Sequence, residues 1–251
     1  MSAFKHALVT GGGTGIGQAI AGSLAAAGLE VTICGRNIEP LETVAASNPR
    51  IHAMTADITD EASVAALYES AQAARGNFDV VIANAGIALS APVGKTSLEM
   101  WSQTLAVNLT GAFLSVRPAM DTMKTAGGGR IVFIASIAGL KGAPYISAYA
   151  ASKHGVIGLM RSMAAELAQT PITVNAVCPG YVETPMLERT VANIVGKTGR
   201  DEQAARDAIA RVNPQGRIIE PQEVADAVMW LCSKGARSVT GQAIAITGGE
   251  M

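Results

Sequence analysis

Tyr149 and Lys153 stand four residues apart in the run Tyr149-Ala150-Ala151-Ser152-Lys153, a spacing that puts two side chains on one face of a helix, one turn apart. A phenol with an ordinary pKa of about 10 is a poor acid or base near neutrality, and a nearby ammonium group favours its ionised form. Such a pair suits delivery of a proton to the alkoxide that forms when a ketone receives a hydride, and removal of that proton in the reverse direction. The residues between them are small, so a second molecule can come close. Ser136 suits hydrogen bonding to the substrate oxygen, and Asn108 suits holding a water in a proton relay. Taken alone, a tyrosine four before a lysine is common by chance, and a surface tyrosine beside a snorkelling lysine is the competing reading. The surrounding pattern decides between them.

A second constellation is rich in glycine. Gly11, Gly12, Gly13, Thr14, Gly15, Ile16 and Gly17 follow a short apolar run and lead into an amphipathic one, where backbone amides and a helix dipole hold a pyrophosphate. After the next apolar run comes Gly35-Arg36-Asn37, without the carboxylate that pairs with the ribose 2′-hydroxyl of NAD. Arg36 can fork onto a 2′-phosphate, which favours NADP(H); read as a solvated charge, it leaves NAD(H) open. Asp57 and Ile58, past the third such run, are expected beside the adenine. Asn84, Ala85 and Gly86, past the fourth, are expected beside the adenosine ribose.

The elements that must position these residues alternate. Strands are predicted at 5–10, 30–35, 50–56, 79–83, 130–135, 172–177 and 243–246, and helices at 18–27, 40–47, 61–75, 98–107, 110–125, 147–169 and 221–231, from the period of their apolar residues. Parallel neighbours need long right-handed crossovers. The alternation therefore predicts an α/β fold: a single doubly wound Rossmann-type domain over 1–251, with a parallel seven-stranded sheet and helices on both faces. A polar, helix-forming stretch at 183–213 is expected as a substrate lid. Lys141, Tyr181 and Met186 are expected to shape the pocket.

Composition excludes several other functions. Nineteen Lys and Arg against twenty Asp and Glu make no basic field for nucleic acid or anionic lipid. Cys34, Cys178 and Cys232 are far apart, and His6 and His52 have no partners at ligand spacing, so neither a disulfide framework nor a metal is expected. No apolar run approaches the roughly 20 residues that cross a bilayer, and residues 1–6 lack the basic and apolar regions of a leader; the expected place is the cytoplasm. With 49% hydrophobic and 16% charged residues, some apolar surface is expected to be covered by further subunits. His154 follows Lys153 and points roughly 100° away from it, so it is read as structural. Tyr145 is read as bordering substrate or packing at the pocket mouth. Arg206 and Arg211 are read as solvated helix charges or contacts to the phosphates of an acyl carrier or coenzyme A.

On Thr-Gly-Gly-Gly-Thr-Gly-Ile-Gly at 10–17, Asn-Ala-Gly at 84–86, Asn108, Ser136, the Tyr149–Lys153 run and Pro-Gly-Tyr-Val-Glu-Thr at 179–184, the whole chain resembles the short-chain dehydrogenase/reductase family, and within it the 3-oxoacyl-thioester reductases. The resemblance implies that Tyr149 is the acid in reduction and the base in oxidation, and that Lys153 lowers its pKa and binds the nicotinamide ribose. It also implies that Ser136 orients the carbonyl and Asn108 anchors the relay water. Pro179 and Gly180 would line the nicotinamide, Val182 and Thr184 would meet its carboxamide, and homotetramers would be built on the helices at 110–125 and 147–169. Thr14 stands where family members carry an Arg or Ser, which weakens the phosphate clamp. A 3-oxoacyl thioester leads the expected substrates, with steroid, sugar or small aromatic ketones behind it. A catalytically idle module that senses nicotinamide redox state is the alternative from a different class.

Overall fold

The computed structural model describes residues 4–250; the expected absence of a leader therefore rests in part on residues 1–3, outside the described residues. Among the described residues seven strands form one parallel sheet: β1 (His6–Thr10), β2 (Glu30–Gly35), β3 (Ile51–Thr55), β4 (Val80–Ala83), β5 (Gly129–Ile134), β6 (Ile172–Pro179) and β7 (Ala243–Ile246). Their order is β3-β2-β1-β4-β5-β6-β7. The chain runs outward from β1 to β3 and then returns to the other side of β1, which opens a crevice at the carboxyl ends of β1 and β4. Strands β1, β4, β5 and β6 are buried along their whole length, which is why their sequences are continuous apolar runs rather than alternating ones.

Among the described residues, ten α-helices connect the strands: α1 (Gly15–Ala26), α2 (Ile38–Ala45), α3 (Glu61–Arg75), α4 (Leu98–Leu105), α5 (Gly111–Val116), α6 (Ala119–Thr125), α7 (Ser147–Glu166), α8 (Pro185–Thr198), α9 (Glu202–Ala210) and α10 (Pro221–Leu231). Leu67, Leu114, Val156 and Met160 of α3, α5 and α7 pack with Phe78 and Phe133 on one face of the sheet. Ile20, Leu24, Leu41 and Val228 of α1, α2 and α10 pack with Ile33 and Ile82 on the other. Each of these fully buried side chains contributes about 1.5–3 kcal/mol relative to exposure. Both faces are thus covered, as the alternating pattern predicts.

The differences from expectation cluster near the crevice. The helix expected at 18–27 begins at Gly15, so the last glycines of the turn already belong to it. Where two helices are expected over 98–125, α4 runs into a π turn at Ala106–Thr110, then α5, and a break before Pro118, whose nitrogen carries no hydrogen to continue the ladder. The stretch 183–213 contains α8 and α9, which share a small core of Leu187, Val191, Ala205 and Ile209. Arg206 binds Glu183, Glu188 and Glu202 and so ties both helices to the end of the β6 segment. Among the described residues, no helix is long and apolar enough to cross a membrane.

Candidate active site

The glycine turn leaves its helix open. Helices α2, α3, α4, α8 and α9 are capped by Asn37, Asp60, Ser97, Thr184 and Asp201, but Thr14 makes no capping bond to α1, and the first turn of α1 carries no acidic residue. Its amide hydrogens and positive dipole end are left for an anion. The glycines have separate reasons. Gly11 and Gly15 take φ of +64° and +55°; a Cβ on Gly17 would overlap the Gly11 carbonyl oxygen, and one on Gly15 would lie 2.9 Å from Thr184 Cγ2. Gly13 packs on Leu41, and Ile16 packs partly into the core. The cleft beside the turn, about 460 Å³, is lined by Thr14, Gly15, Gln18, Glu183 and Pro185 among others. These features fit a dinucleotide.

Farther along the crevice the residues divide. Arg36 is exposed past β2, while Asn37 is engaged in capping α2. The Asp57 carboxylate accepts from Thr59 N and Oγ1 at 2.9 and 2.7 Å; these bonds, with Arg36 nearby, hold its pKa below the usual range. The Ile58 side chain is 7% exposed and packs on Gly111, so it serves the core beneath the site. Asn84 fastens the glycine turn by donating to the carbonyls of Thr10 and Gly11 at 2.8 and 3.2 Å. Thr10 Oγ1, in turn, accepts from Asn84 N and Ala85 N at 3.0 and 3.1 Å. A Cβ on Gly86 would lie 3.2 Å from Asn108 Oδ1 and 3.6 Å from Lys153 Nζ, so Gly86 sits close to both side chains. Thr10 was not singled out by sequence reasoning, although a hydroxyl at the end of β1 was its available signal.

Tyr149, Lys153, Ser136 and Asn108 converge at the carboxyl ends of β4, β5 and β6. Lys153 Nζ donates to Ile134 O at 2.9 Å and lies 5.7 Å from the centre of the Tyr149 ring. Burial brings the lysine pKa down to about 8. Burial also pushes the Tyr149 phenol above its ordinary value and outweighs the opposing hydrogen bond with Ser136. Ser136 is buried, and its Oγ accepts from Ala138 N at 3.1 Å, which fixes a tight 3-10 turn over Ile137–Gly139. A Cβ on Gly139 would lie 2.8 Å from Lys153 O, so this turn can press on α7 only with glycine there.

The π turn carries Asn108 inward. Its Oδ1 accepts from Ile87 N at 2.8 Å, and its Nδ2 donates to Ile87 O at 2.9 Å and Ser152 Oγ at 3.0 Å. Ser152 Oγ donates to Tyr149 O at 2.7 Å. Asn108 thus joins the loop after β4 to the turn of α7 that presents Tyr149 and Lys153. The buried Ser152 is a second residue that sequence reasoning passed over, as a mere spacer.

At the end of β6, Pro179 closes the strand, and Gly180 N donates to Ile246 O at 3.0 Å. Val182 is 6% exposed, packed in the core and bridged to Ile219, so toward a ligand it offers backbone only. Thr184 caps α8 through Leu187 N at 3.4 Å and touches Gly15. His154 donates to its own helix at Ala150 O, 2.9 Å away, as a structural residue would. Tyr145 is 65% exposed with φ +69°, and its carbonyl accepts from Ala91 N at 2.8 Å. Arg211 is exposed, while Arg206 is held by three carboxylates rather than left for an acyl-carrier phosphate. Glu250, from the far end of the chain, pairs with Lys141 at 3.0 Å; no local sequence signal pointed to it.

A family model described as short chain dehydrogenase matches residues 5–194. A cis-4-hydroxycyclohexanecarboxylate dehydrogenase of Sinomonas cyclohexanicum is 40% identical, over 98% of this chain and 96% of that protein. A D-beta-hydroxybutyrate dehydrogenase of Rhizobium meliloti (strain 1021) is 33% identical, over 98% of each. Among solved structures, a variant of actinorhodin polyketide ketoreductase crystallised with NADPH superposes with a TM-score of 0.95 at 36% identity, covering 99% of this chain and 98% of that one.

Proposed function

Because this chain belongs to the short-chain dehydrogenase family, an oxidoreductase family acting between nicotinamide and an alcohol or ketone, we propose that Tyr149 transfers the proton in that reaction and that the cofactor is NADP(H). The observation that carries the reading is the convergence of Tyr149, Lys153 and Ser136 on the crevice opened by the uncapped α1. When bound, the nicotinamide supplies or accepts the hydride. The residues of this chain do the rest. Ser136 orients the substrate oxygen beside the phenol. Tyr149 gives its proton to the developing alkoxide in reduction and takes it back in oxidation. Lys153, charged below about pH 8, stabilises the phenolate left behind and binds the nicotinamide ribose. The second lone pair of Asn108 Oδ1 holds a water that returns the proton from solvent.

The α1 amides with Gly11, Gly13, Thr14, Gly15, Ile16 and Gly17 bind pyrophosphate, and Arg36 binds the 2′-phosphate. Asp57, Asn84, Ala85 and Gly86 form the crevice wall, and Ile58 supports it from the core. Pro179, Gly180, Thr184 and the Val182 backbone hold the nicotinamide end. The substrate is a 3-oxoacyl thioester or a ketone of similar shape, and the two-helix stretch 183–213 closes over it within a single domain in the cytoplasm. A homotetramer covers the groove between α5, α6 and α7, where Phe113, Met120, Met163 and Leu167 are grouped. The chemistry is tested with Tyr149→Phe: turnover of a 3-oxo ester with NADPH should fall at least about 10²-fold with cofactor binding retained. Undiminished turnover would reject the mechanism.

A further inference from the structure

The last residues of the described chain form a turn that brings Glu250 against Gly180 and Lys141. Thr247 is buried; its Oγ1 donates to Glu250 O at 2.9 Å, and Glu250 N donates back to Thr247 O at 3.3 Å. Gly248, at φ +63°, lies so close to the Asn213 side chain that a Cβ would overlap it. Asn213 is itself buried and fixed by Gln215 N and Arg217 O. This turn places Glu250 with its side chain only 12% exposed. Oε1 lies 3.0 Å from Lys141 Nζ, and Oε2 faces Gly180, 3.5 Å from where a Cβ would sit.

Lys141 belongs to one, and Glu250 lies against the other, of the two segments that on the proton-transfer reading bound the substrate side of the site. Lys141 follows the 3-10 turn that Ser136 opens, with its amide on Ile137 O at 3.0 Å. Gly180 and Tyr181 follow Pro179. The Glu250 charge reaches the Tyr181 phenol and raises its pKa beyond the effect of burial, and Tyr181 is near enough to Tyr149 to act on it in turn. On the proton-transfer reading, the non-reacting substituents of a ketone held at Ser136 and Tyr149 would extend between these segments. A carboxylate there would face Glu250 with little solvent to screen it, or would take Lys141 away and leave a mostly buried carboxylate unpaired, which is costly.

We propose that the Lys141–Glu250 pair makes the substrate wall electrically neutral, and that Glu250 selects uncharged acyl chains over ketones bearing a free carboxylate. This rests on the proton-transfer reading of the site. It assigns specificity to a repulsive element as much as to an attractive one.

The experiment compares ethyl acetoacetate with acetoacetate, a neutral and an anionic 3-oxo compound, as substrates with NADPH for the wild type, Glu250→Gln and Lys141→Met. The wild type should favour the ester in kcat/KM by roughly tenfold or more. Glu250→Gln should raise kcat/KM for acetoacetate about tenfold and shift the ester less than about twofold, and the gain should shrink with added salt. Lys141→Met should lower acetoacetate reduction further. Thermal unfolding confirms that both variants fold. Equal wild-type use of the two compounds, or parallel changes for both in Glu250→Gln, overturns the proposal and leaves the reductase reading standing. Reduction of neither compound by the wild type overturns both together.

Discussion

Replacing Lys153 with methionine should make the protein more stable while disabling it. The lysine is 5% exposed, and burial draws its pKa from 10.5 to about 8. At about 1.4 kcal/mol per unit, holding the charged ammonium in place costs the fold roughly 3 kcal/mol near neutrality. Methionine has a similar length and no charge, so it removes that cost. It also leaves the Ile134 carbonyl without its donor, a loss of about 1–1.5 kcal/mol. The net gain of about 1–2 kcal/mol corresponds to a rise in melting temperature of roughly 2–8 °C for a chain of this size. The sign with pH follows from the lowered pKa. Below about 8 both folded and unfolded chains hold the proton, and the full cost is present. As pH rises toward the ordinary lysine value the folded wild type sheds its proton while the unfolded chain keeps it, so the wild type gains stability and the gap closes. Thermal unfolding of both proteins, followed by circular dichroism without cofactor from about pH 7 to about pH 10, measures this directly. A variant less stable than the wild type at neutral pH, or a gap that does not change with pH, would refute the reasoning. Turnover should fall at least about 10²-fold at every pH.

Arg36→Ala should weaken NADPH binding by about 1.5–3 kcal/mol and leave NADH binding unchanged, as read by nicotinamide fluorescence; equal wild-type affinities for the two would contradict a 2′-phosphate contact. Tyr145→Asn should stabilise the fold by about 1 kcal/mol, since asparagine tolerates the left-handed backbone better than an aromatic residue does; a lower urea midpoint would show that the ring contributes more than the strain costs. Gly17→Ala should abolish nicotinamide binding and lower the melting temperature, because the added methyl overlaps the Gly11 carbonyl. Calorimetry showing wild-type affinity would mean that the turn can open at little cost.

Much of the architecture is legible in short stretches of sequence, because the period of apolar residues and the types of turn residues act over a few neighbours. The unbroken apolar runs of β1, β4, β5 and β6 announce burial on both faces, and the glycines before α1 announce a turn that leads into a helix. The four-residue step from Tyr149 to Lys153 announces a shared helix face. What only the folded chain decides is which side chains meet across the sheet and how much water remains among them. The π turn at Ala106–Thr110 exists where Asn108 reaches Ile87 and Ser152. Ile58 and Val182 turn into the core, Asn84 clasps the glycine turn, and Glu250 arrives beside Lys141 from the other end of the chain. The protonation balance of Tyr149 and Lys153 is set in the same way. The spacing of Tyr149 and Lys153 says that a cation is near, while the depth of the crevice makes desolvation the larger influence on both. Local pattern is written in adjacent residues; proximity and solvent exclusion depend on the topology that brings distant ones together.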